Sequence, residues 1–249
     1  MIKVLISGCS GKMGHVVAQE LAARSDATVS AGVDLQPSAC DFPVFSSPAE
    51  VNVPVDVIID FSSPAALSAL LSYAKNEKKP LVLCTTGYND KQIDALKAAS
   101  REVPIFYSRN MSLGINLMIE LCKKAAQVLG TAFDVEVVEM HHNQKVDAPS
   151  GTALMIADAI SDARGTEMHY TYDRHSQRKK RETNEIGIHS IRGGTVVGEH
   201  EVIFAGHDEV LKVSHTAQSK EVFATGAVNA AVFLAGKPAG LYDMSDLLN

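Results

Sequence analysis

The chain has 249 residues, a formal net charge of −6, 46% hydrophobic and 21% charged residues, and no tryptophan. That length supports one large or two modest domains around a sizeable core. The acidic balance argues against a nucleic-acid-binding surface, and no apolar run reaches the roughly 20 residues that span a bilayer.

The first hundred residues alternate between two patterns. Ile2–Ser7 is a short apolar run, read as a buried strand, and Lys12–Arg24 has helical spacing through Met13, Val16, Val17 and Leu21. Strands are expected at Thr28–Asp34, Val55–Phe61, Leu81–Cys84 and Val103–Tyr107, with helices at Pro64–Lys75 and Asp90–Arg101. Near-continuous apolar strands separated by helices predict a parallel sheet covered on both faces. The rhythm then changes. A long helix is expected over Gly114–Leu129, a half-exposed strand over Phe133–Val137 and a helix over Ser150–Ala163. Runs between Ile186 and Ser214, broken by Gly-Gly and Gly-His-Asp, read as antiparallel strands, and Lys220–Ala235 reads as an Ala- and Val-rich helix whose domain the pattern leaves open. The expected fold class is therefore α/β: a Rossmann-type dinucleotide-binding domain, plus a second α+β domain with a mostly antiparallel open sheet.

The start, MIKVLISGCSG, enters a strand pattern directly and lacks signal-peptide architecture. Cys9, Cys40, Cys84 and Cys122 are scattered without a C-x-x-C pair, so neither a disulfide framework nor a structural zinc is expected, and a reducing cytoplasm fits.

Gly8-Cys9-Ser10-Gly11-Lys12-Met13-Gly14 follows the first strand and opens the first helix. Its G-x-x-G-x-x-G spacing is a variant of the dinucleotide fingerprint. Glycines permit a tight turn and close backbone approach to a pyrophosphate, and the helix N-terminus offers N–H groups and positive partial charge. Asp34 ends the second strand, 20 residues after Gly14, where a carboxylate can accept from an adenosine ribose. Asp34 would repel a 2′-phosphate and Leu35, not arginine, follows it; Lys12 could partly compensate. The reading leans to NADH and leaves NADPH open. Asp60-Phe61-Ser62-Ser63-Pro64 and Cys84-Thr85-Thr86-Gly87 sit at two further strand ends, where such sheets bind ligands.

Residues 139–153, EMHHNQKVDAPSGTA, concentrate polar chemistry between a strand and a helix. A hydride transfer to an electrophilic carbon leaves charge that a general acid must quench, and His141 or His142 suits that role because histidine titrates near neutrality. Lys145 offers a cation for a carboxylate, or a second proton. Ser150 can cap the following helix, leaving the Gly151 and Thr152 amides to face an anion. Metal-ligand spacings such as H-x-x-x-H are missing, so no metal is expected.

The segment Glu139-x-His141-His142-x-x-Lys145-x-Asp147-Ala148-Pro149-Ser150-Gly151-Thr152-Ala153 resembles the signature of the 4-hydroxy-tetrahydrodipicolinate reductase (dihydrodipicolinate reductase) family. Further matching pieces are GCSGKMG at 8–14, DFSSP at 60–64, TTG at 85–87, NMSLGIN at 110–116, IRGGTVVGEH at 191–200 and FATGAVNAA at 223–231, so the resemblance covers essentially the whole chain. It implies NADH- or NADPH-dependent reduction of a small dicarboxylate, 4-hydroxy-tetrahydrodipicolinate, to tetrahydrodipicolinate with loss of water, in lysine and diaminopimelate synthesis. It also implies a cytoplasmic homotetramer built through the second sheet, and a C-terminal segment that returns to the first domain. The implied domains are 1–112 with 218–249, for the dinucleotide, and 113–217, for substrate and oligomerisation.

By motif matching, the resemblance makes His141 the proton donor and Lys145 a second donor or carboxylate anchor. His142, Ser150, Gly151 and Thr152 are implied to hold the substrate carboxylates. Gly8, Cys9, Ser10, Gly11, Lys12, Met13, Asp34, Cys84, Thr85, Thr86, Ser108, Arg109, Asn110 and Met111 match cofactor contacts. The chain departs from the family where Cys84 replaces a common glycine, Leu35 an arginine frequent in NADPH users, and Met111 a common phenylalanine.

Two rivals differ in what they require. A dehydrogenase for another small dicarboxylate would not need the whole 139–153 signature, and a non-catalytic dinucleotide sensor would be indifferent to replacing His141 or Lys145. The basic run Arg174–Arg181 reads as a solvated, mobile loop near the dicarboxylate pocket, and Arg192-Gly193-Gly194 as a tight turn, the alternative being that Arg192 supports the active-site loop. Met111, Met118 and Met155 read as core packing.

Overall fold

The structure is a computed structural model and describes residues 1–36 and 40–248. The chain divides into two compact units: Met1–Leu113 with the segment from Lys220 onward, and Gly114–Ser219.

In the first unit, strands β1 (Ile2–Ser7), β2 (Ala27–Val33), β3 (Val44–Phe45), β4 (Val57–Asp60), β5 (Leu81–Leu83) and β6 (Pro104–Tyr107) alternate with helices α1 (Lys12–Ala22), α2 (Leu67–Glu77) and α3 (Asp90–Ala99). Helix α4 (Leu113–Leu129) leads into the second unit, which holds β7 (Asp134–His141), α5 (Gly151–Arg164), β8 (His169–Thr171), β9 (Glu185–Arg192), β10 (Gly198–Ala205) and β11 (Val210–Ala217). The chain returns to the first unit with α6 (Glu221–Leu234), β12 (Gly240–Tyr242) and α7 (Met244–Leu248).

The first sheet has the order β12-β6-β5-β4-β1-β2-β3, and all its pairings are parallel. Because successive side chains alternate, each buried strand feeds both faces. Val4, Ile6, Val57, Ile59 and Phe106 pack with Ala224, Ala227, Ala231 and Leu234 of α6, while Leu5, Ile58, Leu81 and Leu83 pack with Leu67 and Leu70 of α2 and Leu96 of α3. Helix α6 is rich in small residues because it lies close against backbone; a Cβ at Gly226 would fall 1.7 Å from the carbonyl oxygen of Met111. Strand order reverses at β1, which is flanked by β2 and β4, so the loop after β1 opens at the topological switch point.

The second sheet, β11-β10-β7-β9-β8, corrects the expectation of a mostly antiparallel one: β11–β10 and β10–β7 are antiparallel, but β7–β9 and β9–β8 are parallel. Two crossovers account for this: α5 carries the chain from β7 to β8, and the connection over residues 172–184 carries it from β8 to β9, each returning it in the same direction. The Gly193–Gly194 segment is accordingly not a hairpin between neighbours. It crosses the end of β7, with the Gly193 amide donating to His141 O at 3.0 Å and the Asn143 amide to Gly194 O at 3.2 Å. One face of this sheet buries Val135, Val137, Ile186, Ile188, Val202 and Phe204 against α4 and α5.

Strand β7 also runs further than its alternation predicts, to His141 rather than Val137. Its buried positions are Val135, Val137, Glu139 and His141, so polar residues occupy the last two inward places.

Residues 174–180 are exposed, as expected of a solvated loop, but the run is pinned at both ends. Arg174 pairs with Glu136 and Glu185, and Arg181 with Asp134 and Glu136, while also donating to the carbonyls of Val135 and Glu185. Acids on the strands thus anchor the two ends of the run.

Candidate active site

The glycine loop lies wholly within the first unit, and its glycines are needed for separate reasons. Gly8 has φ +79, and a Cβ there would meet Phe61 O at 2.7 Å. Gly11 is the N-cap of α1, with its amide donating to Gly8 O at 3.1 Å. A Cβ at Gly14 would fall 2.2 Å from Gly8 O. The loop can therefore bring bare backbone to a ligand at a helix N-terminus.

Asp34 stands beside it: its carboxylate accepts from the Ser10 amide at 3.1 Å and from the Gln36 amide at 3.1 Å. A cavity of about 520 Å³ is lined by Gly8, Gly11, Asp34, Ser47, Phe61 and Ser62, among others, a size and lining that fit the adenosine and phosphate part of a dinucleotide. Lys12 is exposed on the first turn of α1, Met13 is half-buried, and Cys9 is buried beneath the loop against Gly32.

Asp60, with no exposed surface, ties the two other strand-end segments together. It accepts from the amide and hydroxyl of Ser62, from Thr85 Oγ1 at 2.7 Å and from Tyr88 OH at 3.3 Å. A smaller hollow of about 240 Å³ is lined by Phe61, Ser62, Ser63, Pro64, Cys84, Thr85 and Thr86. Burial raises the Cys84 thiol well above its ordinary value, so it stays neutral. Ser108 is buried and donates from Oγ to Asn110 O at 2.8 Å, Arg109 is exposed, and Met111 is a core residue against α6.

In the second unit the residue that organises the polar cluster is Glu139, with 0% exposure. Its Oε2 lies 2.6 Å from His141 Nδ1, Arg192 clamps both oxygens at 2.8 Å each, and the Ser150 amide donates to Oε1 at 3.1 Å. Burial pushes the Glu139 carboxyl up. The hydrogen bonds from Arg192, Ser190, His141 and the Ser150 amide outweigh it and hold the group down at about 2. For His141, burial lowers the ring below its ordinary value; Glu139 opposes this, and Lys145 and Arg192 reinforce it.

His200, on β10, meets His141 edge-on with ring centroids 5.2 Å apart, and its Nε2 lies 3.1 Å from Ser150 Oγ. Burial holds His200 at about 4, with help from His141. Neither Glu139 nor His200 was assigned a role from sequence, although both stand in matched motifs. The signal available was a glutamate and a histidine at inward positions of strands.

The remaining candidates distribute around this cluster. His142 is half-buried, and Lys145 pairs with Asp147 at 2.8 Å. Ser150 is 2% exposed and caps α5 by accepting from the Ala153 amide at 3.1 Å; its own amide is taken by Glu139. Gly151 is exposed with open space beside it, and Thr152 is half-buried on the first turn. Arg192 Nη2 also donates to Asp147 O at 2.7 Å, so one guanidinium joins the acid–histidine pair to the Lys145 loop. Among the described residues, no group of three or more His, Cys, Asp or Glu side chains could hold a metal ion, and no helix is long and apolar enough to cross a membrane.

A parallel sheet whose switch point carries a glycine turn with an aspartate at the next strand end, together with a unit that holds a histidine on a buried, ionised glutamate, defines a two-unit dinucleotide-dependent oxidoreductase. Comparison with known proteins narrows the class. The dihydrodipicolinate reductase N-terminal and C-terminal family models match residues 2–111 and 114–248. The chain is 52% identical over 248 residues to the 4-hydroxy-tetrahydrodipicolinate reductase of Caldanaerobacter subterraneus subsp. tengcongensis, spanning 100% of this chain and 98% of that one. It is 47% identical over 250 residues to that of Clostridium tetani, with the same coverage of 100% and 98%. A dipicolinate-bound dihydrodipicolinate reductase from Paenisporosarcina sp. TG-14 superposes with a TM-score of 0.80 at 25% identity, over 98% of this chain and 97% of that one. The chain belongs to the dihydrodipicolinate reductase family.

Proposed function

We propose that the chain catalyses the reaction for which its relatives are named, the NAD(P)H-dependent reduction of 4-hydroxy-tetrahydrodipicolinate to tetrahydrodipicolinate with loss of water, in lysine and diaminopimelate synthesis. The observation that carries this reading is the His141–Glu139 pair clamped by Arg192 beside the N-terminus of α5. A reduced nicotinamide, when bound, supplies the hydride for an unsaturated ring carbon. His141 supplies the proton. Lys145 anchors a ring carboxylate or gives a second proton, exchanging its Asp147 partner for substrate. His142, Gly151 and Thr152, with Ser150 capping their helix, form the carboxylate cradle.

Gly8 to Met13 and Asp34 hold the phosphates and adenosine ribose. Cys84, Thr85 and Thr86, with Ser108 to Met111, line the cofactor's other half. NADH is the favoured cofactor: the Asp34 carboxylate borders the cavity, and Leu35, 89% exposed, offers no cation to a 2′-phosphate.

A homotetramer through the second sheet fits its outward face, where Val138, Met140, Ile191 and Ile203 stand on the side away from α4 and α5. A cytoplasmic setting fits a biosynthetic enzyme with no membrane-crossing helix among the described residues.

The test is a coupled assay in which dihydrodipicolinate synthase generates the substrate and loss of reduced-nicotinamide absorbance is followed with NADH and NADPH. Turnover that falls by about a hundredfold or more in His141→Gln and Lys145→Ala is expected. Cofactor binding without turnover in the unaltered chain would replace this reading with another dicarboxylate or a sensor.

A further inference from the structure

Glu139 occupies an inward position on β7 where the preceding inward residues are valines. A buried carboxylate is expensive unless it is paired and its lone pairs are used. Here they are used by three different segments: the next inward residue of its own strand (His141), the end of β9 (Arg192) and the start of α5 (Ser150). The Arg192 clamp is two-pronged, so the carboxylate is fixed in orientation as well as in charge. An ionised carboxylate can only accept, and therefore the ring nitrogen facing it, His141 Nδ1, carries the hydrogen.

The other nitrogen, Nε2, faces Gly198 of β10; a Cβ there would lie 3.0 Å from it, so the glycine leaves the space that a side chain would take. The charged and titratable groups around the ring are Glu139 on β7, Lys145 on the following loop, Arg192 on β9 and His200 on β10.

We propose that Glu139 is a positioning residue for the reaction: it fixes His141 with Nδ1–H turned into the protein, makes Nε2 the atom that releases the proton, and ties that ring to the carboxylate-binding helix start through the Ser150 amide. The inference rests on the reading of His141 as the proton donor. Its consequence is that the proton delivered to substrate leaves Nε2, after which the ring is neutral and still bonded to Glu139 through Nδ1. The neutral ring is thus held in the tautomer that free histidine populates less. Of the three cations and acids nearest the ring, Glu139 alone favours its protonated form; Lys145 and Arg192 oppose it.

The experiment combines nitrogen-15 NMR of the histidine rings with kinetics. In the unaltered protein above the His141 titration, the ring is expected as the Nδ1–H tautomer; an Nε2–H tautomer overturns the proposal, whatever the substrate proves to be. In Glu139→Gln, the single tautomer is expected to be lost. kcat should fall about thirtyfold or more with KM for the dicarboxylate changed less than threefold, and the alkaline limb of the kcat/KM profile should move to lower pH. Glu139→Asp, which keeps the charge, is expected to recover part of kcat and to return the limb. Unchanged kcat and pH profile in a folded Glu139→Gln protein would also overturn the proposal. If that variant does not fold, the tautomer of the unaltered protein decides. Absence of turnover in the unaltered protein, with the Nδ1–H tautomer present, would count against the proposed reaction and leave the orientation of the ring established.

Discussion

A side chain at Gly14 would begin 2.2 Å from the carbonyl oxygen of Gly8 and 2.6 Å from Cys9 Cα, so the first turn of α1 and the loop that follows β1 are in backbone contact. Neither neighbour is a flexible side chain that could swing away. Gly14→Ala is expected to destabilise the first unit by about 3 kcal/mol, and to abolish stabilisation by NADH, because the loop must open to admit the methyl group. Gly11→Ala, where the nearest atom is 3.2 Å away, should cost less in stability. Urea unfolding with and without NADH measures both; equal loss in the two variants would contradict the packing argument.

Asp60 joins two loops that the chain separates. Replacing it with asparagine puts a donor where Thr85, Tyr88 and Ser62 already donate, leaving at least one buried hydroxyl or amide without an acceptor. A loss of about 2 kcal/mol in stability and weaker NADH binding are expected for Asp60→Asn, with a milder effect from Thr85→Val. Isothermal titration with NADH, alongside thermal unfolding, reads the two effects separately.

Acid should unfold the second unit early. His200 is held neutral at about 4 in the folded chain, against about 6.5 when unfolded. The unfolded chain therefore binds more protons, and stability falls as pH drops through 6.5 and on to about 4, by a total on the order of 3 kcal/mol. Glu139 adds to this lower down. Held at about 2, it contributes stability above its unfolded value near 4.5 that is lost as pH falls through that interval. Replacing His200 with asparagine should flatten the pH dependence of the unfolding midpoint between 6.5 and 4; an unchanged slope would show that another group governs it.

Arg181 spans Asp134, Glu136 and the carbonyls of Val135, Glu182 and Glu185, and its side chain is 18% exposed. Arg181→Ala is expected to cost about 2 kcal/mol and to persist at high salt, since the carbonyl bonds are not screened. Lys179, 50% exposed on Glu182 and Glu185, should change stability by less than about 0.5 kcal/mol when truncated. Thermal unfolding of both variants at low and high salt tests the contrast.

Where periodicity and apolar content coincide, the fold was legible in the sequence. The β1–α1–β2 unit, with its glycine turn and Asp34, is local in the chain and obeys rules that act over a few residues. The parallel pairing of β7 with β9 was not, because pairing direction depends on how the two crossovers return the chain and leaves no periodic trace. The short strands Val44–Phe45, His169–Thr171 and Gly240–Tyr242 are too brief to carry a pattern. For the site, the 139–153 segment announced its chemistry through residue type. Its support was less legible: Arg192 reads first as part of a tight turn and only as an alternative as support for this loop, His200 lies far along the chain, and Glu139 and His141 sit where hydrophobic residues are expected, so the alternating pattern of β7 stops at Val137. The basic run is exposed as its composition suggests, but a string of like charges gives no hint that Asp134, Glu136 and Glu185 on the neighbouring strands anchor its ends.

The return of α6 to the first unit has a consequence for how the protein is made. Val4, Ile6, Val57, Ile59 and Phe106 emerge from the ribosome early, but the helix that covers them is synthesised only after the whole second unit. During that interval the parallel sheet can assemble with α1 on this face but the part that α6 will cover left bare, an apolar surface that invites chaperones or self-association. The second unit, whose chain is continuous, can finish folding first. Synthesis that stalls after Ser219 would therefore release a folded second unit tethered to a sticky, incomplete sheet, and supplying residues 220–249 as a separate peptide should rescue its solubility.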